Sequence, residues 1–309
     1  PTDGTRKCPD GAAVRARTKA MSLFILKVLP VALAAAAVPV GLSLEAVFGD
    51  RQSHPIAMTV VLLSGSIIYP TPGEFLKEGR PQGNPRLERQ LDRPLEIMAY
   101  QVGAADYADC VSAGGCQPAQ ETRAIPSKAP VTGVSYLDAN AYARWYSEVT
   151  GDQWRLPSDE EWAFAAAERF AGEFEGVEND ATNPARRWLT SYKAEVDLNR
   201  KPDPMPKSRG SFGFNSLGLA DFSGNVWEWT STCYVRTTLA ADGSGVASSV
   251  DNCGVHVLEG LHRAYMSNFV SDGKSGGCAV GTPPDNLGFR LVRDRSGWAS
   301  DLLSHLRII

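Results

Sequence analysis

Apolar residues recur at helical spacing in two stretches of the chain. Leu137, Ala141, Trp145 and Val149 stand four apart and predict a helix with one buried stripe. Ser135 and Asp138 precede the stripe in Ser-x-x-Asp spacing, so a side-chain cap opens that helix, and Gly151, free to adopt positive φ, stops it. Ser158-Asp-Glu-Glu161 is a second capping box, after which Trp162, Ala165 and Ala166 face the core. Trp154-Arg-Leu-Pro157 leads into it. A shorter helix over Ala104 to Ser112 is stopped by Gly114-Gly115. The strand signals are short apolar runs: Val60 to Leu63 and Gly65 to Tyr69, read as a buried strand pair, then Leu95 to Val102, Gly254 to Leu258 and Phe289 to Val292. Lys77 to Arg93 is polar with Gly and Pro and reads as a loop, as does Ser271 to Asp285. Phe170 to Gly210 is charged, rich in Pro, Asn and Gly, and without periodicity. Long excursions of that kind are often functional.

The first 50 residues have a different character. Arg15, Arg17 and Lys19 precede Met21, a candidate start, and an uncharged run from Val28 to Leu44 follows. A basic region followed by an apolar one is an export signal. Seventeen uncharged residues interrupted by Pro30 and Pro39 leave a cleaved signal and a retained anchor both open, since a span needs about 20. Either way, the expected location is the periplasm or another exported compartment, with the membrane touched only through residues 1–50. The remaining organisation is one domain over 55–295 and a charged tail over 296–309.

Export changes the reading of the cysteines, because disulfides persist in oxidising compartments. Of the five after residue 45, Cys110 and Cys116 flank a helix end and turn and form the first pair. Cys233 with Cys253 is the second, with Cys253–Cys278 the competing choice. Composition excludes one function class. The net charge is -4 and no helix carries a Lys/Arg stripe, so nucleic acid is not an expected partner. The 29 glycines and 20 prolines, with seven tryptophans, indicate a loop-rich α+β fold rather than a helical bundle.

The densest motif is Gly218-Leu-Ala-Asp-Phe-Ser-Gly-Asn-Val-Trp-Glu-Trp229, and the chain nearly closes on Asn286-Leu-Gly-Phe-Arg290. Both resemble signatures of the formylglycine-generating-enzyme (sulfatase-modifying-factor) family. The block from Pro130 to Tyr142, with Arg155-Leu-Pro-Ser-Asp-Glu-Glu-Trp162, resembles that family's central block, and the three blocks come in the family's order. The resemblance implies a loop-rich variant of the C-type lectin fold. It also implies a structural calcium site at Asp221, the carbonyls of Gly224 and Val226, and Glu228, where the oxygens would suit a hard cation. Gly224 would let the backbone curl so that the carbonyls converge. The bland alternative has Asp221 capping a turn and Glu228 pairing with an arginine. Asp197 and Asn199 match a second family site.

The family's activity does not transfer as readily. Formylglycine generation uses two cysteines four residues apart that bind copper(I), a soft ion that favours thiolates. The matching region, Val257 to Phe269, has none, and no cysteine occurs between Gly254 and Gly277. Copper is therefore not an expected cofactor. The iron-dependent sulfoxide-synthase branch needs several histidines, and only His256 and His262 lie in this region. An atypical oxidase using Cys278 with Cys233 or Cys253 is a remaining option.

What the region does contain is a polar cluster: His256, Glu259, His262 and Arg263, with Tyr265 near. Strand alternation puts Val255, Val257 and Glu259 on one face. A carboxyl on an apolar face has a raised pKa, which suits acid–base chemistry. Glu259 is the candidate catalytic residue, with His262 and Arg263 beside it. A structural Glu259–Arg263 or Glu259–Arg290 pair is the alternative. Branches of the family that resemble this chain in lacking the cysteine pair include a pyoverdine-chromophore maturation enzyme and a nitrite-reductase accessory protein. The function expected is oxidative or acid–base tailoring of a small-molecule or peptide substrate. A non-catalytic module that binds an exported protein partner is the competing one, with Trp227 and Trp229 as core or as cleft wall.

Overall fold

The structure is a computed structural model that describes residues 56–120, 124–170, 205–273 and 286–294. The export segment, Cys278, Asp197, Asn199 and the tail all lie outside the described residues.

Among the described residues the strands form three sheets. In chain order they are β1 (Thr59–Leu62), β2 (Gly65–Pro70), β3 (Glu74–Lys77), β4 (Arg80–Gln82), β5 (Arg86–Leu91) and β6 (Leu95–Met98). Helices α1 (Ala104–Ser112) and α2 (Tyr136–Thr150), strand β7 (Gln153–Arg155) and helix α3 (Asp159–Ala166) follow. Then come β8 (Trp227–Leu239), β9 (Val246–Glu259), β10 (Ala264–Ser267), β11 (Leu287–Gly288) and β12 (Val292–Asp294). One sheet runs β1-β6-β12-β7, a second runs β10-β9-β8-β3-β4 with β11 alongside β8, and β2 pairs with β5.

The capping signals are realised. The Ser135 hydroxyl accepts from the Asp138 amide at 3.2 Å while Asp138 accepts from Ser135 N–H at 2.9 Å. Ser158 and Glu161 reciprocate in the same way at 3.1 and 2.8 Å. Gly151 ends α2 at φ 77°, a left-handed position that costs glycine nothing.

The buried face of α2 differs from the expected stripe. Ala139, Tyr142, Ala143, Trp145 and Tyr146 are buried, whereas Leu137 is exposed. The aromatic rings at 142 and 146 decide the matter: they bury more apolar surface than a leucine at 137 would. Tyr142 stacks on Tyr107 of α1, and Tyr146 meets Trp154 of β7.

The strands show three further differences. Val60–Leu63 and Gly65–Tyr69 do not pair with each other, because β1 pairs with β6 and β2 with β5. The polar stretch Lys77–Arg93 contains β4 and β5, whose residues are mostly exposed and so lack an apolar signature. Phe289 to Leu291 lies between β11 and β12 rather than in one strand. The largest omission is the β8–β9 hairpin, thirteen and fourteen residues long. The disulfide Cys233–Cys253 bridges its arms, and Cys110–Cys116 closes the end of α1. Both expected pairings are present. Cys233 and Cys253 therefore cannot serve as thiolates alongside Cys278.

Candidate functional site

The register of the long hairpin sets two acidic residues side by side, Glu228 of β8 opposite Glu259 of β9. Both are buried, and each is answered by a different arginine.

Glu228 is held from four directions. Arg290 donates through Nε to Oε2 at 2.7 Å and through Nη2 to Oε1 at 2.8 Å. Trp162 Nε1 donates to Oε2 at 2.9 Å and Gln101 Nε2 to Oε1 at 2.8 Å. Arg290 also donates to the Ala220 carbonyl at 2.8 Å, and its guanidinium lies 3.9 Å from the centre of the Phe222 ring. The two sequence motifs thus meet here, the closing Arg290 clamping the Glu228 of the dense block. Trp227 and Trp229 are core: Trp229 Nε1 donates to the Val134 carbonyl and Trp227 Nε1 to that of His262.

Asp221 lies at φ 60°, in a turn where Ser223 and Asn225 also have positive φ. Its Oδ2 accepts from Gly210 N–H at 2.5 Å and its Oδ1 from Phe212 N–H at 2.9 Å. Burial pushes its pKa up and these two donors pull it down, the net direction being upward. Gly224 has no positive φ. It is needed for space, since a Cβ there would come within 2.7 Å of the Phe212 ring. The curl of this turn is supplied by Asp221, Ser223 and Asn225 instead.

These contacts test the expected calcium set. Each Glu228 oxygen already accepts two hydrogen bonds, which uses its lone pairs. The Gly224 carbonyl takes Val226 N–H at 2.9 Å and Gln101 Nε2 at 3.4 Å. As arranged, Asp221, Gly224, Val226 and Glu228 do not fit a calcium ion, because the charge that would compensate Glu228 is Arg290. Among the described residues no group of three His, Cys, Asp or Glu is placed to hold a metal.

The second acid is in a different situation. Glu259 Oε1 accepts from Arg263 Nε at 2.6 Å, and Arg263 Nη2 donates to Asp159 Oδ2 at 2.9 Å. Arg263 Nη1 donates to the Pro70 carbonyl at 2.8 Å. One guanidinium therefore faces two carboxyl groups, and all three side chains are at most 1% exposed. Asp159 Oδ1 has no hydrogen-bond partner. Burial pushes the Glu259 carboxyl well above its ordinary value of 4.5. Arg263 opposes the shift and the charge of Asp159 reinforces it. Tyr69 completes the wall, its ring centre 5.8 Å from the Arg263 guanidinium. Its pKa is raised to about 12 by burial and then by Asp159 and Glu160.

The structure thus brings Glu259 and Arg263 together and leaves both histidines outside the ion pair. His262 Nδ1 is 3.0 Å from the Arg263 carbonyl oxygen. His256 stacks on Tyr136 at 3.7 Å and meets Asn268 Oδ1 at 2.6 Å, and burial lowers its pKa. The sequence reading expected one apolar face for Val257 and Glu259. The end of β9 is buried on both faces, His256 and Leu258 included. The residue missed was Asp159. It stands inside the Ser158–Glu161 box, but its side chain turns inward and only Glu161 closes the box.

A family model for the sulfatase-modifying factor enzyme 1-like domain matches residues 45–295. The chain belongs to the sulfatase-modifying-factor family. Relatives include the formylglycine-generating enzyme of Streptomyces coelicolor, 29% identical over 53% of this chain and 52% of its own length. The inactive C-alpha-formylglycine-generating enzyme 2 of Mus musculus is 30% identical over 60% of this chain and 56% of that protein. The hercynine oxygenase of Mycobacterium tuberculosis is 32% identical over 35% of this chain and 23% of its own. The chain thus spans about half the length of the first two relatives. Among solved structures, PvdO from Pseudomonas aeruginosa aligns over 76% of this chain and 94% of its own, with 21% identity and a TM-score of 0.46. The loop-rich α+β architecture expected from the motifs is that of the family. This member carries Glu259 and Arg263 in the stretch where the resemblance places the copper cysteines, and α3 brings Asp159 against them.

Proposed function

We propose that this family member is an exported maturation or tailoring enzyme that works without a two-cysteine copper site, by proton transfer through Glu259. The observation that supports it most is the sharing of one guanidinium by two buried carboxyl groups, with Asp159 Oδ1 unpartnered. Arg263 stabilises the carboxylate left when Glu259 gives up its proton. The same carboxylate then takes a proton from another atom of the substrate. The net result is an isomerisation, such as tautomerisation of an amide or aromatic group, and it balances without an oxidant. A small molecule or a peptide is the substrate class. Two disulfides support an oxidising compartment outside the cytoplasm.

The burial of Glu259 favours a second reading, a non-catalytic accessory module that binds an exported partner and uses the cluster as a strut. Complementation of a deletion strain separates the two. Wild type and Glu259→Gln are compared by untargeted mass spectrometry of the exported metabolites, with secreted protein levels as the folding control. Accumulation of an isomeric precursor with Glu259→Gln at normal protein level supports the enzyme. A wild-type metabolite profile at normal level supports the module.

A further inference from the structure

A cavity of about 520 Å³ opens beside the end of β6, away from Glu259, and is walled by α1, α2 and the chain at 208–209. We propose that it is a binding site for a small aromatic carboxylate. The site is independent of the acid–base reading above.

Its walls are aromatic and thioether. Tyr100, Tyr142 and Tyr146 line it with Met58 and Met98. Volume and lining fall in the range of small-molecule sites. The Tyr142 ring is fixed in stacks with Tyr107 at 5.8 Å and Tyr146 at 5.7 Å, so packing sets the direction of its hydroxyl. Tyr146 is tied to the rim by the Ala57 N–H, which it accepts at 2.6 Å.

One residue of the cavity lining has a buried polar atom without a protein partner. Tyr142 is 2% exposed and lines the cavity. Gln101 is fully buried. Its Nε2 is used by Glu228 and Gly224, and its Oε1 has no partner. Buried polar groups left unsatisfied are costly, and a ligand that supplies partners is one way the cost is offset. Burial raises the pKa of Tyr142, which keeps it a hydrogen-bond donor at neutral pH.

Charge selects the ligand's sign. The ionisable acid and bases of the lining are Asp106, Lys128 and Arg209. Asp106 is matched by Arg209 at 2.9 Å. Lys128 is exposed and, among the described residues, has no ion pair, so the mouth carries one surplus cation. An aromatic body between the tyrosines with a carboxylate toward Lys128 satisfies both features, and Tyr142 can donate to a ring substituent.

The test uses the full chain labelled with ¹³C at the methionine methyls and titrated with 4-hydroxyphenylacetate. Met58 and Met98 report on the cavity, and Met266, buried in the core, reports on the fold. Saturable shifts at Met58 and Met98 with Met266 unmoved are expected, weakened about tenfold by Tyr142→Phe. Lys128→Glu is expected to weaken binding several-fold, and 4-hydroxyphenylacetamide to bind less well than the acid. Either variant with an unshifted Met266 methyl is folded and counts. No shift at Met58 and Met98, or shifts of equal affinity in both variants, would overturn the proposal.

Discussion

Arg290 grips Glu228 with two parallel hydrogen bonds, 2.7 and 2.8 Å long, and through that pair the last described strands are fastened to the central motif. Both side chains are at most 1% exposed. Removing one partner of such a pair leaves a bare buried charge, which costs ~3–5 kcal/mol. Arg290→Ala is therefore expected to lower stability by about that amount in urea unfolding. Arg290→Lys should recover little of it, because an ammonium cannot reproduce the two-pronged contact.

The same grip bears on calcium. Because Arg290, Trp162 and Gln101 occupy the Glu228 oxygens, chelation with EGTA is expected to leave the melting temperature of the purified domain unchanged within about 1 °C. A calcium-dependent rise would show that the 221–228 turn rearranges around the ion. Ligand binding to the native state alone stabilises by mass action.

Glu259 gives the pH prediction. Its pKa is raised in the folded protein by burial and then by Asp159, against Arg263. A raised carboxyl contributes stability below the unfolded value of about 4.5 and loses it as pH rises toward the folded value. The stability of the wild type minus that of Glu259→Gln is expected to fall as pH increases from 4.5. Thermal unfolding of both proteins across that range checks the sign. A difference independent of pH would mean that the carboxyl titrates alike in the folded and unfolded chains, and a difference that rises with pH that it is ionised in the folded protein.

The disulfides differ in the loops they close, with separations of 6 and 20 residues. Chain-entropy reasoning assigns about 2 kcal/mol to the first and about 3 kcal/mol to the second. Cys110→Ala/Cys116→Ala should therefore be the milder double substitution. Non-reducing peptide mapping is expected to return these two pairings.

The helices were legible because their signals are local. Ser135–Asp138, Ser158–Glu161 and Gly151 act within one turn, and each works as the sequence implied. The strand pairings were less so, since β4 and β5 bury little and carry no alternation for a reader to see. The distal half of β9, Val246 to Gly254, is exposed throughout, so the hairpin is held by its ladder and its disulfide rather than by an apolar face. At the site, Glu259 and Arg263 could be found because they are four apart on one segment. Asp159 is about a hundred residues away, and its role depends on a tertiary contact that no local pattern encodes.

The most direct test of the account is whether Glu259 carries a proton at neutral pH. An infrared difference spectrum between wild type and Glu259→Gln, with Asp159→Asn as a second comparison, reads the carboxyl group itself. A protonated-carboxyl stretch lost with Glu259→Gln is expected. A difference spectrum containing only ionised-carboxylate bands would contradict the proton-transfer account and leave the Asp159–Arg263–Glu259 cluster as a structural strut.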